Sequence, residues 1–154
     1  MSFTLNYEEP IPKVVKRLKY EHSELEPRLA KVQEEAKDGE LRVAVSFLDS
    51  ISPLLLRHAV EEEARLMRVI MWEYKDDSEA SVSIMRYHRE ILAFLKHRLP
   101  VLLQMPDRVA RREILVFVND VRKHHKEEEK VVFPLALKAD KLHDKRMESG
   151  RPTP

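Results

Sequence analysis

Apolar side chains recur every three to four positions along most of this chain and strict alternation is rare, the pattern of helices with one buried stripe each. The first stripe reads Val14, Leu18, Leu25, Leu29, Val32, Ala36. It predicts a helix opening near Pro12, which a first turn tolerates, and closing at Asp38-Gly39, where glycine suits a left-handed cap. A second stripe, Leu48, Ile51, Leu55, Val69, predicts a helix from about Leu41 to Met71. Pro53 inside it removes a backbone donor and crowds the Asp49 carbonyl, so a kink is expected. Trp72 to Ser78 reads as a connection, with Asp77 or Ser78 as the next N-cap. Ile84, Ile91, Leu95, Leu99 and Leu102 make the third stripe, and Met105-Pro106-Asp107 the next break. The fourth stripe, Ile114, Phe117, Val121, Val131, predicts a helix from about Asp107 to Leu137, bent or ended by Pro134. The expected fold is all-α, an antiparallel up-down-up-down four-helix bundle in one domain, with an N-terminal arm at 1–11, the bundle at 12–137 and a charged, loosely docked tail at 138–154.

Each stripe has a gap, and ionisable residues fill the gaps. His22 stands four after Leu18 and three before Leu25; His58 and Glu62 follow Leu55, His88 follows Ile84, and His124 and Glu128 follow Val121. His88, His124 and Glu128 lie 66 positions after His22, His58 and Glu62, so the chain reads as a duplicated helical hairpin. About Gly39, His22 lies 17 residues before and His58 19 after; about Pro106, His88 and His124 each lie 18 away. At about 1.5 Å per helical residue the six side chains share one layer, roughly 25 Å from the hairpin turns.

Composition narrows the use of that layer. The 154 residues suit one core, and 28 basic residues nearly cancel 27 acidic ones, which gives no long-range attraction to nucleic acid or an anionic membrane. Without cysteine, disulfides and thiolate metal sites are excluded and a cytoplasmic location is expected. No run of 18 apolar residues and no export signal is seen, so no membrane association is expected. Two carboxylates on core stripes need a counter-charge, and no Lys or Arg occupies the facing stripes at this level. Residues at i and i+4 share one helix face, so each H-x-x-x-E unit can reach one ion or two adjacent ions. An all-nitrogen-and-oxygen donor set suits iron or manganese, accepts zinc, and argues against copper(I) and calcium.

The pattern H…H-x-x-x-E…H…H-x-x-x-E, with His124-x-x-x-Glu128-Glu129-x-x-x-Phe133-Pro134 its most specific phrase, resembles the hemerythrin-like, or HHE cation-binding, domain from about Pro12 to Leu137. The resemblance implies a non-heme di-iron centre with an oxo or hydroxo bridge. Glu62 and Glu128 would bridge the metals, His22 and His58 would complete one, and His88 and His124 the other. Oxygen-carrying hemerythrins have two histidines four apart on the third helix, whereas Ile84 and Leu92 flank His88 at that spacing here. The implied activity is therefore binding or sensing of dioxygen, nitric oxide, peroxide or iron status rather than oxygen transport. The alternatives are di-iron redox chemistry on peroxide or nitric oxide, iron donation in stress repair, and a structural or storage metal. Repair proteins of this kind usually carry a cysteine-containing segment, and this chain has no cysteine.

His125 competes with His124. The repeat offset, the glutamate four residues on, and the alignment of His125 with Ala59 favour His124; a helix phase error of one residue would favour His125. Glu61, Glu63, Glu127 and Glu129 read as solvated faces from which one could approach a metal, His97 and His143 as surface residues, and Tyr20 and Tyr87 as packing residues near the ligands. No separate catalytic residues are evident. The Phe3, Leu5 and Tyr7 arm suits contact with a second copy of the chain.

Overall fold

The computed structural model describes residues 4–74 and 79–150, and every regular element among them is helical. Helix α1 (Ile11–Asp38) is followed by α2 (Leu41–Glu61), which runs through a π-helical stretch, Glu62–Met67, into α3 (Arg68–Tyr74). Helix α4 (Glu79–Ala93) continues through a π-helical stretch, Phe94–Arg98, and a 3₁₀ stretch, Leu99–Gln104. Helix α5 (Asp107–Glu127) passes through a third π-helical stretch, Glu128–Val132, into α6 (Phe133–Glu148). The chain thus forms four helical rods packed as a bundle, α1 lying along α2 and α5, and α3 along α6.

The rods break where predicted, for partly different reasons. Pro106 ends the third rod and caps the fourth. Gly39 follows α1, but at φ −106° it is not a left-handed cap. Its value is space: a Cβ there would overlap the Glu35 carboxylate, which folds over the turn to accept from the Glu40 amide at 3.2 Å. Pro53, like Pro27, sits on an exposed face of a helix that runs on through it. The predicted cap at Asp77 or Ser78 lies outside the described residues.

The π-helical stretches shift the buried stripe. A π turn adds a residue, so every side chain beyond it rotates to the next position. In the fourth rod Val132 is buried and Val131 is 36% exposed, the reverse of the predicted stripe. In the second, Ile70 rather than Val69 is fully buried. The same stretch places Pro134 in the first turn of α6, where its missing amide breaks no helical bond, so the rod does not end there. Helix α6 then continues past Leu137 to Glu148 instead of loosening into a tail, with Ala139 buried and His143 and Arg146 each 3.3 Å from the Glu73 carboxylate.

The apolar interior is two clusters rather than one. Leu25, Leu29, Leu48, Leu55, Ile91, Ile114 and Val121 belong to the cluster nearer the Gly39 and Pro106 turns; Val14, Leu18, Leu66, Ile84, Val132 and Phe133 belong to the other. Within each rod the predicted ligands fall between the clusters, so a polar slab crosses the core. The arm folds onto its own bundle: Arg65 donates to the Asn6 and Glu9 carbonyls, and the Arg65 and Arg68 guanidinium groups lie 5.9 and 5.8 Å from the Tyr7 ring centre. Phe3 lies outside the described residues. By length and composition the rod Leu41–Tyr74 is apolar enough to cross a membrane, although the sequence has no uninterrupted run of that length; 33% of its most apolar window is buried against the bundle.

Candidate metal centre

All six predicted ligands are buried, and Glu62 and Glu128 have no exposed surface. His22 comes from α1, His58 from the end of α2, His88 from α4 and His124 from the end of α5, while the two glutamates open the π-helical stretches of the second and fourth rods. π turns are frequent at functional sites because they re-aim a side chain without ending a helix. Each glutamate stays beside the histidine four residues before it: His58 Nε2 is 3.4 Å from Glu62 Oε2, and His124 Nε2 is 3.2 Å from Glu128 Oε1. The glutamates also reach other rods. Glu62 Oε1 lies 3.8 Å from His88 Nε2, and the Glu128 oxygens lie 3.6 Å from His22 Nε2 and 3.9 Å from His58 Nε2.

Two groups of donors result, His22, His58, His125 and Glu128 in one and Glu62, His88, His124 and Glu128 in the other; within each group one ligand atom per residue lies within 4.8 Å of the rest. The structure therefore brings together the predicted pairs His22 with His58 and His88 with His124. Comparison of the chain with protein-family models, curated proteins and solved structures found no match. The chemistry of the site rests on its own geometry.

That geometry fits metal ions. Both oxygens of Glu62, both oxygens of Glu128, both nitrogens of His124 and Nδ1 of His22 are buried without a hydrogen-bond partner, a concentration of orphaned groups that a folded core does not ordinarily keep. The two Nε2 atoms of His22 and His58 are 2.9 Å apart. Two imidazoles bound at right angles to one ion, at about 2.1 Å each, stand about 3.0 Å apart. In two of the rings a carboxylate holds the outer nitrogen so that Nε2 faces inward: His58 Nδ1 is 3.0 Å from Glu21 Oε1, and His88 Nδ1 is 3.0 Å from Glu63 Oε1. Such carboxylate–imidazole pairs fix the tautomer a metal ligand needs.

The electrostatics of the metal-free layer follow from crowding. Burial, then the neighbouring His58, pushes His22 down to about 3, and burial lowers His124 to about 4. Burial also opposes the charge on His58, but Glu21 and Glu62 outweigh it and raise this imidazole to about 9. Burial favours a neutral Glu62, yet the adjacent Glu128 carboxyl and His58 hold it down to about 2. Glu128 moves well upward through burial and the charge of Glu62, so of the two carboxyls Glu128 keeps the proton. The His58 cation and the Glu62 anion thus sit beside His22, His124 and Glu128 held neutral, an arrangement that metal ions would replace by releasing protons.

Four residues gain roles that the spacing did not assign. Glu21, buried and bonded to His58 and Arg57, has Tyr87 as its counterpart 66 positions on, so the repeat gave no signal for it. Glu61 is not a solvated face but a buried acceptor of Arg17. Glu63 backs His88, whereas its counterpart Glu129 stands 3.7 Å from His22 Nδ1 and is exposed. His125, weighed only as a rival to His124, is 6% exposed, and its ring stacks on His22 at 4.1 Å. Tyr87 stacks on His124 at 4.7 Å and lines a groove of about 760 Å³ between α4 and α5, with Ile91, Phe94, Phe117 and Val121. Tyr20 is 62% exposed and His97 is exposed, away from the layer.

Proposed function

We propose that this protein is a hemerythrin-like, non-heme di-iron protein, an antiparallel up-down-up-down bundle that binds or senses dioxygen, nitric oxide or peroxide. The observation that carries this reading is the slab of imidazoles around two fully buried, hydrogen-bond-orphaned glutamates, set between two apolar clusters. A core bears that desolvation cost only if something compensates it, and two metal ions do so. Glu62 and Glu128 would bridge them; His22 and His58 would serve one ion, His88 and His124 the other. Nitrogen and oxygen donors suit iron, and would accept manganese or zinc. When bound, iron would supply a redox couple and coordination positions for a small ligand.

The chain's part is positional. Glu21 and Glu63 keep protons on the outer nitrogens of His58 and His88, and the apolar clusters above and below exclude water. The groove beside Tyr87 supports a route for a small molecule toward His124. A cysteine-free composition supports action in a reducing cytoplasm.

Metal analysis of protein purified from its native host, with absorption spectra before and after reduction, tests the reading. Two irons per chain and bands that change on reduction and on adding one of the three ligands are expected, and are lost in Glu62→Ala. Two redox-inert ions would leave only a structural or storage metal, and no bound metal would remove the proposal.

A further inference from the structure

The geometry points to His125 as a third imidazole ligand beside His22 and His58, making the two halves of the centre unequal so that they fill in order; this rests on the di-metal reading above. The 66-position repeat would make the halves equivalent, but it fails at two places in the slab. Ala59 corresponds to His125, and Glu21 corresponds to Tyr87. Both differences strengthen the same half. His125 adds an imidazole there, and Glu21 orients His58 there, whereas in the other half Nδ1 of His124 has no hydrogen-bond partner and the Tyr87 ring stacks on it.

Successive helical side chains point about 100° apart, so neighbouring histidines on one rod can face different neighbours. His124 leans toward α4, with its ring centre 5.2 Å from that of His88; His125 leans toward α1, 4.1 Å from His22 and 5.4 Å from His58. A side chain placed there for packing alone would be apolar, as Ala59 is at the equivalent position. His125 instead presents a ring nitrogen within 4.8 Å of donor atoms from His22, His58 and Glu128. With Glu62 and Glu128 shared between them, the first half then has three imidazoles and the second two. Imidazole-rich sites favour ions such as Fe²⁺, Co²⁺ and Zn²⁺, and carboxylate-rich ones favour Mn²⁺. The first equivalent of Co²⁺ should therefore enter the His22, His58, His125 half.

The test is an anaerobic titration of the full metal-free chain with Co²⁺, followed by calorimetry and visible absorption. Two steps are expected. His125→Phe, which keeps a ring on His22, should weaken the tighter step at least about 10- to 100-fold, the loss typical when even a ligand's supporting group is removed, while leaving the weaker step largely in place. Free imidazole should restore the tight step in His125→Ala, a rescue that a packing role would not show. Two wild-type steps unchanged in His125→Phe would overturn the ligand assignment and leave the di-metal reading standing; failure of the wild type to bind Co²⁺ would remove both. If variants at 125 do not fold, the wild type decides: at one equivalent of Co²⁺, three paramagnetically shifted imidazole N–H resonances are expected, and two would overturn the proposal.

Discussion

Replacing Glu128 by leucine should raise the stability of the metal-free protein and lower that of the metal-loaded protein. Glu128 is fully buried, its two oxygens have no hydrogen-bond partner, and burial beside Glu62 forces it toward the neutral form. Leucine has nearly the same reach without the polar atoms. Removing an orphaned buried polar group recovers about 1–3 kcal/mol, and exchanging buried ionisable groups for packed apolar ones is often stabilising by about 1–4 kcal/mol. The exchange gives up the Glu128 carboxyl's support of the Glu62 charge, which His58 still supports in part from 3.4 Å while keeping Glu21 at 3.0 Å. For a domain of this size a gain of 1 kcal/mol raises the melting temperature by about 2–4 °C, so the metal-free variant should melt several degrees higher than the wild type. With metal the order reverses. An ion present at 100 times its Kd contributes about 2.7 kcal/mol, and the variant forfeits most of that through loss of a ligand shared by both donor groups. Thermal melts with chelator and with saturating Fe²⁺ or Co²⁺ give the four values needed. A variant that melts lower than the wild type without metal, yet gains the full metal-dependent shift, would refute both the desolvation reasoning and the place of Glu128 in the centre.

Three further outcomes follow from particular contacts. Glu21→Gln should lower metal affinity about 10- to 100-fold by loosening His58, read from the same titration, and unchanged affinity would deny Glu21 that role. Val132→Ala should cost about 2 kcal/mol in urea unfolding and Val131→Ala no more than about 0.5; equal costs would contradict the phase shift at Glu128–Val132. In the metal-free protein His22 and His124, lowered to about 3 and about 4, add stability that is complete above pH 6.5 and lost as pH falls through those values. His58, raised to about 9, adds stability present below 6.5 and lost as pH climbs through 9; burial holds His125 well down as well, and the raised Glu128 offsets one of the three lowered histidines above pH 4.5. Urea midpoints from pH 4 to 9 should therefore peak near 6.5, and a steady rise to pH 9 would contradict the assignment to His58.

Much of the bundle is legible in the sequence because helix periodicity and punctuation are local. The stripes up to each ligand, the break at Pro106 and the end of α1 before Gly39 all follow from side-chain spacing and from what proline and glycine do to a backbone. Legibility ends at Glu62 and Glu128. A π turn leaves no mark in composition, yet it rotates all that follows by one position, which is why Val69 and Val131 were expected inside and Ile70 and Val132 are found there. It also explains why Pro134 does not end the fourth rod and why α6 reaches Glu148.

The sequence by itself determined that four histidines and two glutamates lie on apolar stripes at one height, because the 66-position repeat and the 3.6-residue turn suffice for that. Only the tertiary structure decided what surrounds them. Glu21 reaches His58 across two rods, Glu63 reaches His88, and His125 turns to His22 while His124 turns to Tyr87. Those pairings depend on how the rods are rotated about their axes, which is fixed by packing between rods and not by spacing within any one of them. Pseudo-symmetry in the chain therefore becomes an unequal site in the folded protein.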